Sequence, residues 1–131
     1  MANFKVGCGK AMIQFSASEL PIREFKSKLD DLYCRVMLIS GKNSWALISF
    51  DLTSLRAAAI KRYQELAARL LAIDSNQIWV TVTHTFAAPH LPSTTDPMAR
   101  KSAYRLIDEK LKESLMLACR QAHEDLQAVQ V

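Results

Sequence analysis

Two histidines, His84 and His90, stand close together in the stretch Gln77 to His90, where a run of β-forming residues gives way to a loop. An imidazole ligates metals and moves protons near neutral pH. A catalytic zinc takes three protein ligands and keeps one position for water. His84, His90 and Asp51 could supply three such ligands. Each also has a plainer reading. A strand-end histidine such as His84 is commonly a hydrogen-bonded structural residue, and His90, between Pro89 and Pro92, fits a surface loop. His123 falls late on a charged helical stretch and reads as solvent-facing. Nucleophilic catalysis finds no support: there is no GxSxG elbow and no recognisable Cys/His signature. Gly7-Cys-Gly9-Lys10 lacks the spacing and the following helix of a phosphate loop.

The elements that must position these residues follow from periodicity. Phe4 to Phe15, Leu32 to Ile39, Trp45 to Phe50 and Ile78 to Thr83 read as four strands. Gly7 and Gly9 inside the first suggest a bulge or a close backbone approach. Ser16 to Lys28 reads as a loop with a short helical turn over 22–28. Ser40 to Ser44 is a turn by composition, making strands two and three an antiparallel hairpin. Thr53 or Ser54 is expected to cap a helix with Leu55, Ala59, Tyr63, Leu66 and Leu70 on its inner face. That strand-helix-strand connection predicts a right-handed crossover between parallel strands three and four. Asp51 and His84 then emerge at one sheet edge, beyond the carboxyl ends of the strands, where ligands bind in open α/β sheets. Asp96-Pro97 reads as the start of a second long helix, running to about Gln127. Ala103, Leu106, Ile107, Leu111, Leu115, Cys119, Ala122 and Leu126 mark its inner face, and Glu109, Glu113, Arg105, Lys110 and Lys112 read as a solvated face. The fold class expected is α/β: a mixed sheet of about four strands with two long helices.

Composition limits the function classes. The 131 residues are 50% apolar and 23% charged, with a net charge of +4, and predict one domain over 1–131. The basic residues are dispersed and interleaved with acids, which argues against a nucleic-acid partner. Cys8, Cys34 and Cys119 are widely spaced and odd in number, so they read as buried small side chains and not as a disulfide or zinc framework. No leader-like apolar core opens the sequence and no apolar run is long enough to span a membrane. A cytoplasmic location is the expectation.

Four stretches in one order carry a resemblance: Val6-Gly-Cys-Gly-Lys-Ala11, Leu32-Tyr-Cys-Arg-Val-Met-Leu38, Ile48-Ser-Phe-Asp-Leu52 and Val80-Thr-Val-Thr-His-Thr85. The series resembles the amino-terminal region of the neutral/alkaline non-lysosomal ceramidase family. The late helix, with Tyr104, Ala118 and Ala122, is similar to the helix that follows in that family. The resemblance covers nearly the whole chain but only the first part of the family's domain. It implies a zinc-dependent amidase acting on the N-acyl bond of ceramide-like lipids. His84 stands where the family's first motif histidine ligates zinc, and Asp51 where a strand-ending aspartate supports the site. Phe86 replaces the second motif histidine, and Ala87-Ala88 replace serine-glycine, while Pro89 is retained. The family's other zinc ligands come from far downstream.

Three readings follow. The chain is a subunit completed by a second polypeptide, or a degenerate relative that binds a ligand or self-assembles without catalysis, or a small metal-dependent hydrolase using His84, His90 and Asp51 in an oligomer. The favoured expectation is a ceramidase-like α/β domain with incomplete zinc chemistry, acting in an assembly. Four strands and two helices would leave a sheet face or edge uncovered, and such surfaces associate.

Overall fold

Alternation along the strands decides which side of the sheet is buried. The computed structural model describes residues 4–91 and 101–130. Strand β1 (Phe4–Met12) buries Gly7, Gly9 and Ala11, β2 (Tyr33–Ser40) buries Cys34, Val36 and Leu38, and β3 (Trp45–Phe50) buries Ala46, Ile48 and Phe50. Successive side chains point to opposite faces, so these residues share one face. Helix α1 (Ala57–Leu71), strand β4 (Ile78–Val82), helix α2 (Lys101–Glu124) and strand β5 (Gln127–Val129) complete the order. The strands lie β4-β3-β2-β1-β5, with β3 and β4 parallel and the other pairs antiparallel. This is the expected mixed α/β sheet with two long helices, enlarged by one short strand. Residues 127–129 pair with Phe4–Val6 and do not extend the second helix. The expected helix start at Asp96-Pro97 lies outside the described residues.

Both helices pack on the buried face, and α2 comes closest. A Cβ added to Gly7 would lie 1.9 Å from the Ala122 carbonyl oxygen, and one on Gly9 would lie 1.9 Å from that of Ala118. The two glycines are the close backbone approach that their position in a strand suggested, and β1 pairs with β2 without interruption. This rules out a phosphate loop at Gly7–Lys10, which is regular strand. Helix α2 also serves the free edge of β1. The Asp125 carboxylate accepts the Cys8 N–H at 2.9 Å and the Gln121 side-chain oxygen accepts the Lys10 N–H at 2.8 Å. Unpaired strand donors are thereby satisfied beyond the reach of β5.

Several local expectations are corrected. Helix α1 starts at Ala57 with Arg56 at its N-cap and no side-chain cap, because the Thr53 hydroxyl donates instead to the Thr85 carbonyl. Its buried line is Ala59, Tyr63, Ala67 and Leu71, whereas Leu70 is exposed. The short helical turn falls at Ala17–Glu19, where Glu19 and Ser16 form a capping box, and Ile22 and Phe25 close a tight turn by reciprocal backbone hydrogen bonds. Cys8 is exposed on the outer face, while Cys34 and Cys119 are buried. Burial pushes the Cys119 thiol up to about 12 and the Cys34 thiol higher still, which keeps both protonated and unreactive.

One polar cluster crosses the helix interface. Asp108 of α2 is 7% exposed. It accepts the Tyr63 hydroxyl at 2.7 Å, lies 3.2 Å from Arg62 and 2.6 Å from Lys112. Arg62 also donates to the Tyr104 hydroxyl at 2.7 Å. Burial alone would raise the Asp108 carboxyl, but hydrogen bonds from Lys112, Tyr63 and Arg62 outweigh it and hold its pKa below the ordinary value.

Two predictions follow from this packing. Gly9→Ala should destabilise the fold by about 1–3 kcal/mol, because two backbones must separate, while Cys8→Ala next to it should stay within about 0.5 kcal/mol. Equal urea midpoints for the two variants would contradict the close approach. A lowered folded-state pKa makes the Asp108 contribution complete above the unfolded carboxyl value of about 4, and the contribution is lost as pH falls below it. Asp108→Asn should therefore flatten the acid limb of a stability–pH profile, and an unchanged acid limb would refute the assignment.

Candidate functional site

The parallel pairing of β3 with β4 brings the ends of these strands to one edge. Phe50 aligns with Val82, and the Thr83 N–H donates to the Phe50 carbonyl at 3.0 Å. Asp51 and His84 leave the sheet there, as the strand-helix-strand reading predicted. Their surroundings differ.

Asp51 continues the β2–β3 ladder with its side chain. Its backbone N–H donates to the Tyr33 carbonyl at 2.9 Å, and one carboxylate oxygen accepts the Tyr33 N–H at 2.8 Å. The chain turns immediately afterwards, through a Leu52 N–H to Phe50 carbonyl bond of 2.9 Å. The carboxylate thus stands in for the next backbone acceptor. Its other oxygen accepts from the Arg35 guanidinium at 2.8 Å. Arg35 and Lys10 both lie over the Tyr33 ring, at 5.3 and 4.0 Å from its centre. Both Asp51 oxygens are engaged within the sheet.

His84 is exposed and takes φ = 61°, a left-handed conformation uncommon for a residue with a side chain. Its Nδ1 lies 2.7 Å from the Thr53 carbonyl oxygen. A carbonyl only accepts, so Nδ1 carries the proton, and among the described residues nothing hydrogen-bonds Nε2. A metal-binding histidine is commonly oriented in this way, by a hydrogen bond from its other ring nitrogen. The Phe86 ring stands 5.0 Å from the imidazole, edge on, and is 76% exposed. Thr53 joins the two loops: its carbonyl takes the imidazole, and its hydroxyl donates to the Thr85 carbonyl at 2.7 Å. Thr53 itself is buried, as are Ala88 and Pro89, which anchor the far end of the histidine loop. His90 follows them and is half-buried.

A crevice of about 400 Å³ opens beside this edge. Its lining mixes apolar Phe15, Leu20 and Phe25 with polar Asp51, Thr83 and Thr85 and with the charged Lys28, Asp30 and Asp31. His84 does not line it. Among the described residues, no three His, Cys, Asp or Glu side chains come together as a group able to hold a metal ion. His123 is exposed on α2. Among the described residues no helix is long and apolar enough to cross a membrane.

Thr53 and Arg35 were not singled out as site residues in the sequence. Arg35 is the one charge in an otherwise apolar strand segment, a signal that a partner carboxylate lies across the sheet. Thr53 gave only a cap signal, and its actual role depends on the β4 loop being alongside.

No family model and no curated protein sequence matches the chain. Solved structures do match in shape. The neutral ceramidase of Pseudomonas aeruginosa superimposes with a TM-score of 0.67 at 17% identity, over 98% of this chain and 22% of that one. A ceramidase complexed with C2 gives a TM-score of 0.68 at 16% identity, over 98% and 22%. The chain therefore spans about a fifth of the ceramidase chains it matches, and over that span it has their fold.

Proposed function

We propose that this chain is a ceramidase-like amidohydrolase domain whose own active site is incomplete, and that it works as a component of an assembly. The observation that carries this reading is the asymmetry at the sheet edge. His84 has one ring nitrogen held by the Thr53 carbonyl and the other without a hydrogen-bond partner among the described residues, while both oxygens of Asp51 are spent on Arg35 and the Tyr33 N–H. The shared fold supports a ceramidase-like domain, and the 22% span is in keeping with a site finished by other parts of a larger enzyme.

Among the described residues a zinc ion does not find a site, since one imidazole nitrogen is far short of three or four ligands. Completed by ligands from a further polypeptide, zinc would supply an activated water and polarise an amide carbonyl. In this reading the chain's own residues have narrower tasks. Thr53 fixes the tautomer of His84 and ties the two loops together. Asp51 and Arg35 hold the β2–β3 edge square to that loop. Phe86, where the family has a second histidine, offers an apolar ring and no ligand. The crevice beside Asp51, where phenylalanine and leucine side chains meet threonines and the charged Lys28, Asp30 and Asp31, suits a substrate having an apolar chain and a polar head.

The test is hydrolysis of a short-chain N-acyl sphingoid amide by the isolated chain, with zinc supplied. No turnover above background is expected, and equilibrium dialysis should find no tightly held zinc. Turnover that needs zinc and is abolished by His84→Ala would show a complete site and contradict this reading. Stability separates the two edge residues. Asp51→Ala removes the partner of a backbone N–H and should cost about 1–3 kcal/mol, whereas His84→Ala should cost less than about 1 kcal/mol. The reverse order in thermal unfolding would remove the holding role given to Asp51.

A further inference from the structure

The loop between β1 and β2 is closed on itself. The Ile13 N–H donates to the Leu32 carbonyl at 2.7 Å, so the two ends of residues 14–31 meet at a neck. Inside the loop, the backbone hydrogen bonds among described residues are all local. Glu19 donates to Ser16, Leu20 to Ala17, and Ile22 and Phe25 exchange a reciprocal pair. Between 14 and 31 the one fully buried residue is Ile22, with Phe15 and Leu20 half-buried against the core. The turn from Ile22 to Phe25 carries Arg23 at φ = 53°. That left-handed conformation costs free energy for a residue with a side chain, and opening of the turn relieves it.

One ion pair ties this loop to α2. Lys110 lies 3.1 Å from Oε1 of Glu19, while Oε2 of the same carboxylate accepts the Ser16 N–H at 2.7 Å. Glu19 therefore belongs to a preformed turn and to the tie at once. The Lys28–Asp31 pair, at 2.6 Å, stays within the loop. The same loop builds much of the crevice of about 400 Å³, supplying Phe15, Leu20, Phe25 and Leu29, while Asp51, Thr83 and Thr85 come from the sheet edge. The crevice keeps its apolar lining only while the loop is folded back.

We propose that residues 14–31 are a strap that opens and closes as one unit about the Ile13–Leu32 neck, latched by Lys110 and Glu19, and that this movement sets access to the crevice. Segments with local hydrogen bonds and little buried surface open at free energies well below that of global unfolding. A compact loop whose ends already meet lifts without disturbing the strands it joins, and β1 and β2 keep their register beneath the neck. An apolar chain lying in the crevice touches Phe15, Leu20 and Phe25 only in the closed state, so occupancy and closure reinforce one another. This inference rests on the reading of the crevice as the place of a substrate's apolar chain, and it adds how that place is opened.

Amide hydrogen exchange of the intact chain, resolved by residue, tests the strap. The Glu19, Ile22 and Phe25 amides should exchange about a hundredfold or more faster than the inner amides of β2, with one common opening constant. Lys110→Gln should speed these three together by about two- to fivefold, the range of a partly exposed ion pair, and leave β2 unchanged. A short-chain N-acyl sphingoid amide, its binding reported by the Thr83 and Thr85 signals, should slow the same three amides together. Strap amides as slow as those of β2 overturn the inference, because the loop then opens only with the whole domain. So does a Lys110→Gln effect that is absent at Glu19 or spread equally over β2. A probe that shifts Thr83 and Thr85 without slowing the strap also overturns it, by removing the link to the crevice. A probe that shifts neither threonine contradicts the substrate reading of the crevice instead, and the Lys110→Gln comparison then decides the strap by itself.

Discussion

A helix backbone resting directly on a strand backbone is the constraint around which this domain is built. At Gly7 and Gly9 there is no side chain between β1 and the Ala118 and Ala122 turns of α2. The contact fixes the height of α2 over the sheet, and other interactions depend on that height. Gln121 and Asp125 reach the strand's free N–H groups because the helix is so close. Asp108 meets Tyr63 and Arg62 because α2 lies beside α1 at the level of its inner face. The chain leaving α2 is likewise near enough to pair with the start of β1.

The same packing makes the sheet one-sided. All the large buried side chains of the strands face the helices, and the opposite face is divided into apolar and polar rows. The polar rows end at Asp51, whose carboxylate serves the sheet as a substitute backbone acceptor and a partner for Arg35. One strand further, His84 serves nothing in the sheet. It is turned outward by a left-handed backbone and held by a carbonyl from the neighbouring loop. Two residues on one edge have therefore been given opposite tasks, one closing the ladder and one presenting a nitrogen to whatever lies beyond.

Much of this was legible in the sequence. The strands and helices were set by periodicities of two and near four, and the parallel β3–β4 crossover by the length of the helical connection. The shared edge of Asp51 and His84 followed from that crossover. The glycines in β1 announced a close approach without saying to what. What escaped is what depends on tertiary neighbours. Thr53 resembled a helix cap because hydroxyls before helices usually are, but its hydroxyl found the Thr85 carbonyl first. The stretch from Leu126 onward read as a place where another strand could begin, with no sign of which edge it would join, and an unfilled strand edge at Phe4–Val6 recruits residues 127–129. Asp108 looked like one charge among many on a solvated face. Its place beside Ile107, one turn before Leu111, was the available sign that it points inward.

The Thr53 carbonyl holds His84 with its proton on Nδ1, and no described residue engages Nε2. Long-range proton–nitrogen correlation spectra of the three histidine rings, with His84→Gln to assign the signal, measure this directly. The account predicts that the His84 ring is a fixed Nδ1–H tautomer at pH 8, while exposed His123 averages between tautomers in favour of Nε2–H. A His84 ring that averages in the same way, or that carries its proton on Nε2, would contradict it, because the sheet edge would then present no oriented ligand.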